Sequence, residues 1–193
     1  MRAKWLPAKT TLIGVIVGGI AGLLLALGAE EMDRFTSTDT FCTSCHAMQS
    51  YIADSEIYKS SLHQTTASGV RPSCADCHIP KGLVPATYAH VVNGISDIWG
   101  EVSLDYNDPD VWNAEKARLA DAVRHWFRDN DSITCRECHE EASIKPARQR
   151  GQRQHMEALE SGMTCIDCHY NLVHEEIEPS EGFLKQVEMG QLP

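Results

Sequence analysis

Four copies of one five-residue pattern, C-x-x-C-H, constrain this chain more than anything else in it; they occupy residues 42–46, 74–78, 135–139 and 165–169. The chain has 8 cysteines and these motifs use them all, so none is left for a disulfide or a free thiol. A single copy could be a redox dithiol or half a zinc site. Four copies that exhaust the cysteines are the pattern of c-type haem attachment, two thiols forming thioethers while the adjacent histidine offers its imidazole to iron. Cys42, Cys45, Cys74, Cys77, Cys135, Cys138, Cys165 and Cys168 are therefore expected to hold four covalent haem c groups. His46, His78, His139 and His169 are the expected proximal ligands.

The haems also limit the fold. Of 193 residues, some 160 follow the apolar N-terminal segment, about 40 per haem, so the macrocycles must supply much of the core. The expected fold is mainly α with extensive loops and little or no sheet. It comprises one N-terminal transmembrane helix and a small multihaem domain of two dihaem units.

Residues 10–29, TTLIGVIVGGIAGLLLALGA, carry no charge, and as a helix they span about 30 Å, the thickness of a bilayer core. Arg2, Lys4 and Lys9 precede this run and Glu30, Glu31 and Asp33 follow it. The basic flank predicts a cytoplasmic N-terminus and a periplasmic haem domain, single-pass in a bacterial inner membrane. A cleaved signal peptide is the competing reading, with Ala26 and Gly28 as small residues, but the apolar run exceeds a usual signal core. Gly14, Gly18 and Gly22 repeat every fourth residue, a spacing that permits homo-oligomerisation through the anchor. All 27 Asp and Glu lie beyond Ala29 against 14 Lys and Arg, a net charge of −13 for that part. This disfavours nucleic acid and suits a redox partner with a basic docking face.

The motif starts, 42, 74, 135 and 165, fall into two pairs, and each pair encloses one further histidine, His63 and His155, at a matching place. This internal repeat makes both candidates for distal iron ligands. His174 follows His169 too closely to reach the far side of the same haem, so it is expected to ligate another. His125 falls in a predicted helix over 114–129, away from the face of Leu119, Val123, Trp126 and Phe127, and is expected to be solvated. A second predicted helix, 86–102, has an apolar stripe of Tyr88, Val91, Val92, Ile95, Ile98, Trp99 and Val102 opposite a polar stripe of His90, Asn93, Asp97 and Glu101. It reads either as a helix packed on the haem core or as one lying at the membrane surface, presenting His90 and Asp97 to a ligand. Residues 1–29 form the anchor region and 30–174 the haem domain, with halves about 36–100 and 125–174. Residues 175–193, polar and containing Pro179 and Gly182, read as a flexible extension.

The stretches STDTFCTSCHAM (37–48), SGVRPSCADCHIPKG (68–82), RDNDSITCRECH (128–139) and SGMTCIDCHYNLVH (161–174) resemble the NapC/NirT family of membrane-anchored tetrahaem cytochromes, which includes the NrfH-type subunits. The resemblance implies a quinol dehydrogenase that takes electrons from menaquinol or ubiquinol at the first haem and passes them to a periplasmic terminal reductase or soluble redox protein. It implies that the third haem takes His63 and the second His174, while His155 serves the fourth unless a partner protein fills that place. It also implies that Met48 of C-x-x-C-H-x-M replaces His46 on the first iron, although His46 binding normally beside a packed Met48 stays open. The chain has Lys81 where many relatives have a histidine after the second motif, and His90 where NrfH-like members have a lysine beside the acidic position, here Asp97. Asp97, His90 and Lys81 are thus the expected quinol-site residues, with His90 either accepting a proton or itself binding iron. The alternatives are an electron-relay and anchor subunit without its own quinol site, or a small haem nitrite or hydroxylamine reductase.

Overall fold

The computed structural model describes residues 8–190, so Arg2 and Lys4 lie outside the described residues. These form nine α-helices and no strand. Helix α1 (Ala8–Thr36) runs unbroken through the apolar stretch and for nearly two turns beyond it. Its side chains from Leu12 to Leu27 are exposed all round. Among the described residues it is the one helix long and apolar enough to cross a membrane. Past the apolar run, Arg34 pairs with Glu30 and Glu31.

The haem motifs sit at short, sharply capped turns. The first ends α2 (Asp39–Cys42), capped by Thr38, and leads into a π-helical turn, Met48–Ala53. Helix α3 (Glu56–Ser60) follows, capped by Ser55. The second motif is itself α4 (Cys74–His78). Its Ser73–Asp76 capping box recurs as Thr164–Asp167 around the fourth motif. In both boxes the hydroxyl of the residue before the first cysteine and the carboxylate two residues after that cysteine satisfy each other's backbone amides. The repeat therefore extends from the ligands to the local folding of the motifs. The third motif overlaps α7 (Ile133–Arg136).

Three longer helices carry the haem turns. Helix α5 (Leu83–Ser103) packs on α1. Helix α6 (Pro109–Asp129) starts at the Asp108 cap with Pro109 in its first turn, where a missing N–H costs nothing. Helix α8 (Gln149–Ser161) carries His155 and stops at Gly162, whose φ of 67° favours glycine. Helix α6 joins two core clusters. At its start Trp112 packs with Ala47 and Tyr106 beside Met48, Tyr51 and Ile52, and Tyr51 stacks on Trp112 at 4.7 Å. At its end Phe127 packs with Ile166, Phe183 and Val187. Between Trp112 and Phe127 the helix rises about 22 Å, so it acts as a strut between the halves.

The C-terminal segment expected to be flexible is folded as far as Gly190. Helix α9 (Glu181–Gly190) buries Phe183 completely, and Val187 with it. The buried Arg124 holds the preceding strap through the carbonyls of Ile177 and Glu178 and the side chain of Asn171. Composition pointed to disorder because the apolar residues of this segment are few; they are placed one turn apart on a single face. The same docking corrects the expectation for His125, which is partly buried and packs edge-on against Phe183 at 5.7 Å. Phe183→Ala should destabilise the holoprotein by about 3–5 kcal/mol, the cost of a cavity left by a buried aromatic ring. Denaturant unfolding checks this; a change near zero would return the tail to a flexible extension.

Candidate haem and redox site

Three of the four attachment histidines face a second imidazole. His78 faces His174, His139 faces His63 and His169 faces His155, each pair with ring centres 6.1 Å apart. A metal-bound imidazole nitrogen sits about 2 Å from its metal with the ring centre about 1 Å behind it, so two imidazoles on opposite faces of one iron stand about 6 Å apart. Each pair therefore fits one haem iron. Among the described residues there is no group of three or more His, Cys, Asp or Glu suited to a bare metal ion. Burial pushes His78 down to about 4, with His174 adding to the effect. Burial also lowers His174, as it does His169, where His155 and His139 contribute. All three are thus held neutral, the state in which imidazole binds metal. The ring planes meet at 87° for His63–His139, 34° for His78–His174 and 17° for His155–His169.

The four motifs are linked in chain order. Cys42 and Cys74 are within hydrogen-bonding reach through their sulfur atoms, and Asp39 Oδ1 accepts from the Cys74 amide at 2.8 Å. Thr134 Oγ1 donates to the Cys77 carbonyl at 2.8 Å, joining the second motif to the third. Cys135 and Cys165 repeat the sulfur contact of the first pair. Ser132, fully buried at φ 47°, bonds Thr164 and accepts from the Ile166 amide, joining the third motif to the fourth. These connections join the four motifs in a row, with the first nearest α1.

The first motif differs. His46 is exposed, with Nδ1 3.3 Å from Ser50 Oγ, and it borders an open cleft of about 340 Å³ walled by residues 101–107. Among the described residues no imidazole faces it at the distance of the other pairs. Met48 is half-buried beside the Ala47–Tyr106–Trp112 cluster. Helix α5 supplies the polar surroundings. Glu101 Oε1 accepts from the His46 amide at 2.7 Å and the Ala47 amide at 3.4 Å. Asp97, one turn earlier, acts with Glu101 on Cys45 through its charge. Asp97 is exposed, yet desolvation by its neighbours raises its carboxyl above the usual carboxylate range. His90, two turns before Asp97, points into the contact with α1: its Nδ1 lies 3.0 Å from the Ala86 carbonyl and 3.3 Å from Asp33 Oδ1.

Lys81 does not join this group. It pairs with Glu137 of the third motif at 2.9 Å, and about 21 Å of helical rise along α5, from Leu83 to Asp97, carries Asp97 away from it. Glu101, Asp39, Asp33 and Thr134 escaped the sequence reading as site residues because their partners are distant in the chain. For Glu101 a signal existed, since it lies one turn from Asp97 on the same polar stripe.

The profile of the NapC/NirT cytochrome c family, N-terminal region, matches residues 6–179. A Nitrosomonas europaea protein named "Probable tetraheme cytochrome c-type" is 35% identical over 181 residues, 92% of this chain and 75% of that protein. The cytochrome c-type protein TorC of Escherichia coli K12 is 35% identical over 189 residues, 95% of this chain but 46% of TorC, so the chain spans under half of TorC. The denitrification system component NirT of Stutzerimonas stutzeri is 34% identical over 164 residues, 83% of this chain and 79% of NirT. No solved structure matches the chain significantly.

Proposed function

The chain belongs to the NapC/NirT cytochrome c family, and from that footing we propose that it oxidises membrane quinol beside its first haem and passes the electrons to a periplasmic reductase. Bound haem supplies iron centres that accept and release one electron at a time. His78 with His174, His139 with His63 and His169 with His155 are the pairs that would hold three of these centres. The first haem would be held on its attachment side by His46 or Met48, with Asp97 and Glu101 beside it.

One observation carries this reading: α5 is amphipathic in the inverted sense. Its apolar stripe, from Val84 through Tyr88, Ile95, Ile98 and Trp99 to Val102, is 45–77% exposed. The two ends of its polar stripe turn inward, His90 towards α1 and Glu101 towards the first motif, while Asn93 and Asp97 between them are exposed. A helix in contact with water would be arranged the other way round. Beside the membrane-spanning α1, with Tyr and Trp on the outer face, the arrangement suits a helix lying in the bilayer interface. Quinol in the membrane then reaches Asp97 and His90 without crossing water. Asp97, whose carboxyl is raised above the usual carboxylate range by desolvation, is placed to accept a proton. The N-terminus is assigned to the cytoplasm and the haem domain to the periplasm. One relative is named a denitrification component, so a respiratory reductase of that broad kind is the proposed partner, its basic face meeting this acidic domain.

In vesicles containing the purified protein, a quinol analogue should reduce all four haems without any other protein. Reduction by dithionite but not by quinol would leave only an electron relay and anchor.

A further inference from the structure

We propose that the basic face of α8 and of the loop before it, Lys145, Arg148, Arg150 and Arg153, is the docking surface for a redox protein that presents a carboxylate-rich patch. The inference rests on the reading above, in which electrons leave for a periplasmic partner, and it locates where that partner sits.

Residues 142–156 carry four cations and no carboxylate, whereas the rest of the chain beyond Ala29 has 10 Lys and Arg against 27 Asp and Glu. All four cations are exposed. Among the described residues, eight of the other ten form ion pairs and Arg124 bonds carbonyl oxygens. Lys145, Arg148, Arg150 and Arg153 have no partner there. A cation on so acidic a domain ordinarily finds a carboxylate nearby; these four are kept from one by the sequence itself.

Folding stability does not account for the cluster. Arg148 is the N-cap of α8 and Arg150 lies in its first turn, which has no acidic residue. The N-terminus of a helix is its positive end and favours the opposite charge. The cations are nonetheless gathered and fixed. Pro146 packs so closely on Gly151 that a Cβ there would lie 2.8 Å from the Pro146 Cβ, and Gln152 Nε2 donates to the Pro146 carbonyl at 2.9 Å. This folds the loop carrying Lys145 and Arg148 back onto α8. Arg150, Arg153 and Met156 follow at three-residue steps along one line of the helix, and Met156 and Leu159 are 57% and 48% exposed. Protein interfaces are enriched in arginine and methionine. Glu157, one turn after Arg153, accepts from Gln154 Nε2 at 2.9 Å instead.

The place suits electron exit. His155, on the side of α8 away from Arg150 and Arg153, faces His169 of the fourth motif, the last in the row that begins beside α1. A helix with its side chains is about 10–12 Å across, so a partner seated here lies about one helix thickness from the fourth iron. One electron passes at a time: that iron is oxidised, an acceptor centre in the partner is reduced, and no proton moves. The acidic remainder of the domain attracts basic parts of the partner's surface, and α8 fixes the register by meeting its acidic patch.

The test uses the full-length holoprotein in neutral detergent, reduced with dithionite and freed of the excess. Its reoxidation is followed by stopped flow with two one-electron acceptors, a blue-copper protein bearing an acidic patch and a basic single-haem cytochrome c. One variant combines Lys145→Gln, Arg148→Gln, Arg150→Gln and Arg153→Gln. A control combines Lys59→Gln, Arg71→Gln, Arg118→Gln and Lys185→Gln, removing the same charge from exposed positions elsewhere. Oxidation of the wild type by the copper protein should slow as salt is added. In the first variant it should be at least about tenfold slower at low ionic strength, with most of the salt dependence gone, while the control stays within about twofold of wild type. Oxidation by the cytochrome should not fall in either. An equal loss in both variants overturns the proposal, because net charge alone would then act. So does a wild-type rate indifferent to salt. A changed haem EPR spectrum in the first variant also overturns it, assigning the cations to the haem propionates. Salt-dependent self-association that the first variant loses, with its copper-protein rate unchanged, overturns it in favour of a second copy of this chain. Dithionite supplies the electrons, so failure of the quinol reading leaves every one of these outcomes readable.

Discussion

Replacing His174 with alanine should turn one low-spin haem high-spin and break the relay after the first haem. His174 meets His78 at 6.1 Å between ring centres, and His78 belongs to the second motif, which the Cys42–Cys74 contact sets against the first. Removing the distal imidazole leaves that iron with one protein ligand and shifts its potential by on the order of a hundred millivolts or more, since axial ligands set haem potentials across a wide range. Quinol should still reduce the first haem, but transfer to an added acceptor should fall by at least roughly a hundredfold, as when a metal site loses its support. Exogenous imidazole should restore the low-spin signal in part. The fold should survive, because His174 stacks on Tyr58 at a domain edge and lies in neither core cluster. A variant with an unaltered count of low-spin haems would remove His174 from the ligand set.

Asp97→Asn should have a comparably large effect on the first step alone. General-base catalysis is worth about 10²–10⁴ in rate, so quinol-driven reduction should fall at least about a hundredfold while dithionite reduction is unchanged. The pH dependence follows from the direction of the shift. Asp97 is raised by desolvation, so in wild type the rate should fall with acidification at a pH above the ordinary carboxylate range. The asparagine variant should lack that limb. Stability should move the opposite way to activity. A carboxyl whose folded pKa is raised costs stability above its unfolded pKa, where the unfolded chain ionises more readily. At neutral pH the asparagine variant should therefore be as stable as wild type or more so. Loss of both stability and quinol activity would indicate a structural role.

The haem chemistry was legible in the sequence because attachment spells itself out locally, in two cysteines and a histidine within five residues. The helical class followed from the same motifs, and the anchor from twenty uncharged residues. Helix α5 was legible to within a few residues, since Tyr88 to Val102 recur on one face. Its placement was not, because an apolar stripe looks the same whether it faces haem or lipid; the inward turn of His90 and Glu101 is a tertiary fact. The C-terminal helix was missed because Phe183 and Val187 sit in a polar stretch with a proline before them. Arg124 and Phe127, the residues that hold that segment down, lie more than fifty positions upstream. Lys81 was grouped with Asp97 by its place after the second motif, but the intervening helix carries the two apart.

Low-temperature EPR with near-infrared spectroscopy on the oxidised wild-type protein tests the central claim, three relay haems and one distinct haem where electrons enter. Two imidazole planes at right angles leave the iron dπ orbitals nearly degenerate, whereas near-parallel planes split them. The His63–His139 pair at 87° should therefore give one highly anisotropic low-spin signal, and the pairs at 34° and 17° two rhombic ones. The first haem, the one left without a facing imidazole, should be high-spin or show a methionine charge-transfer band. Four bis-histidine haems, or fewer than three, would contradict the account.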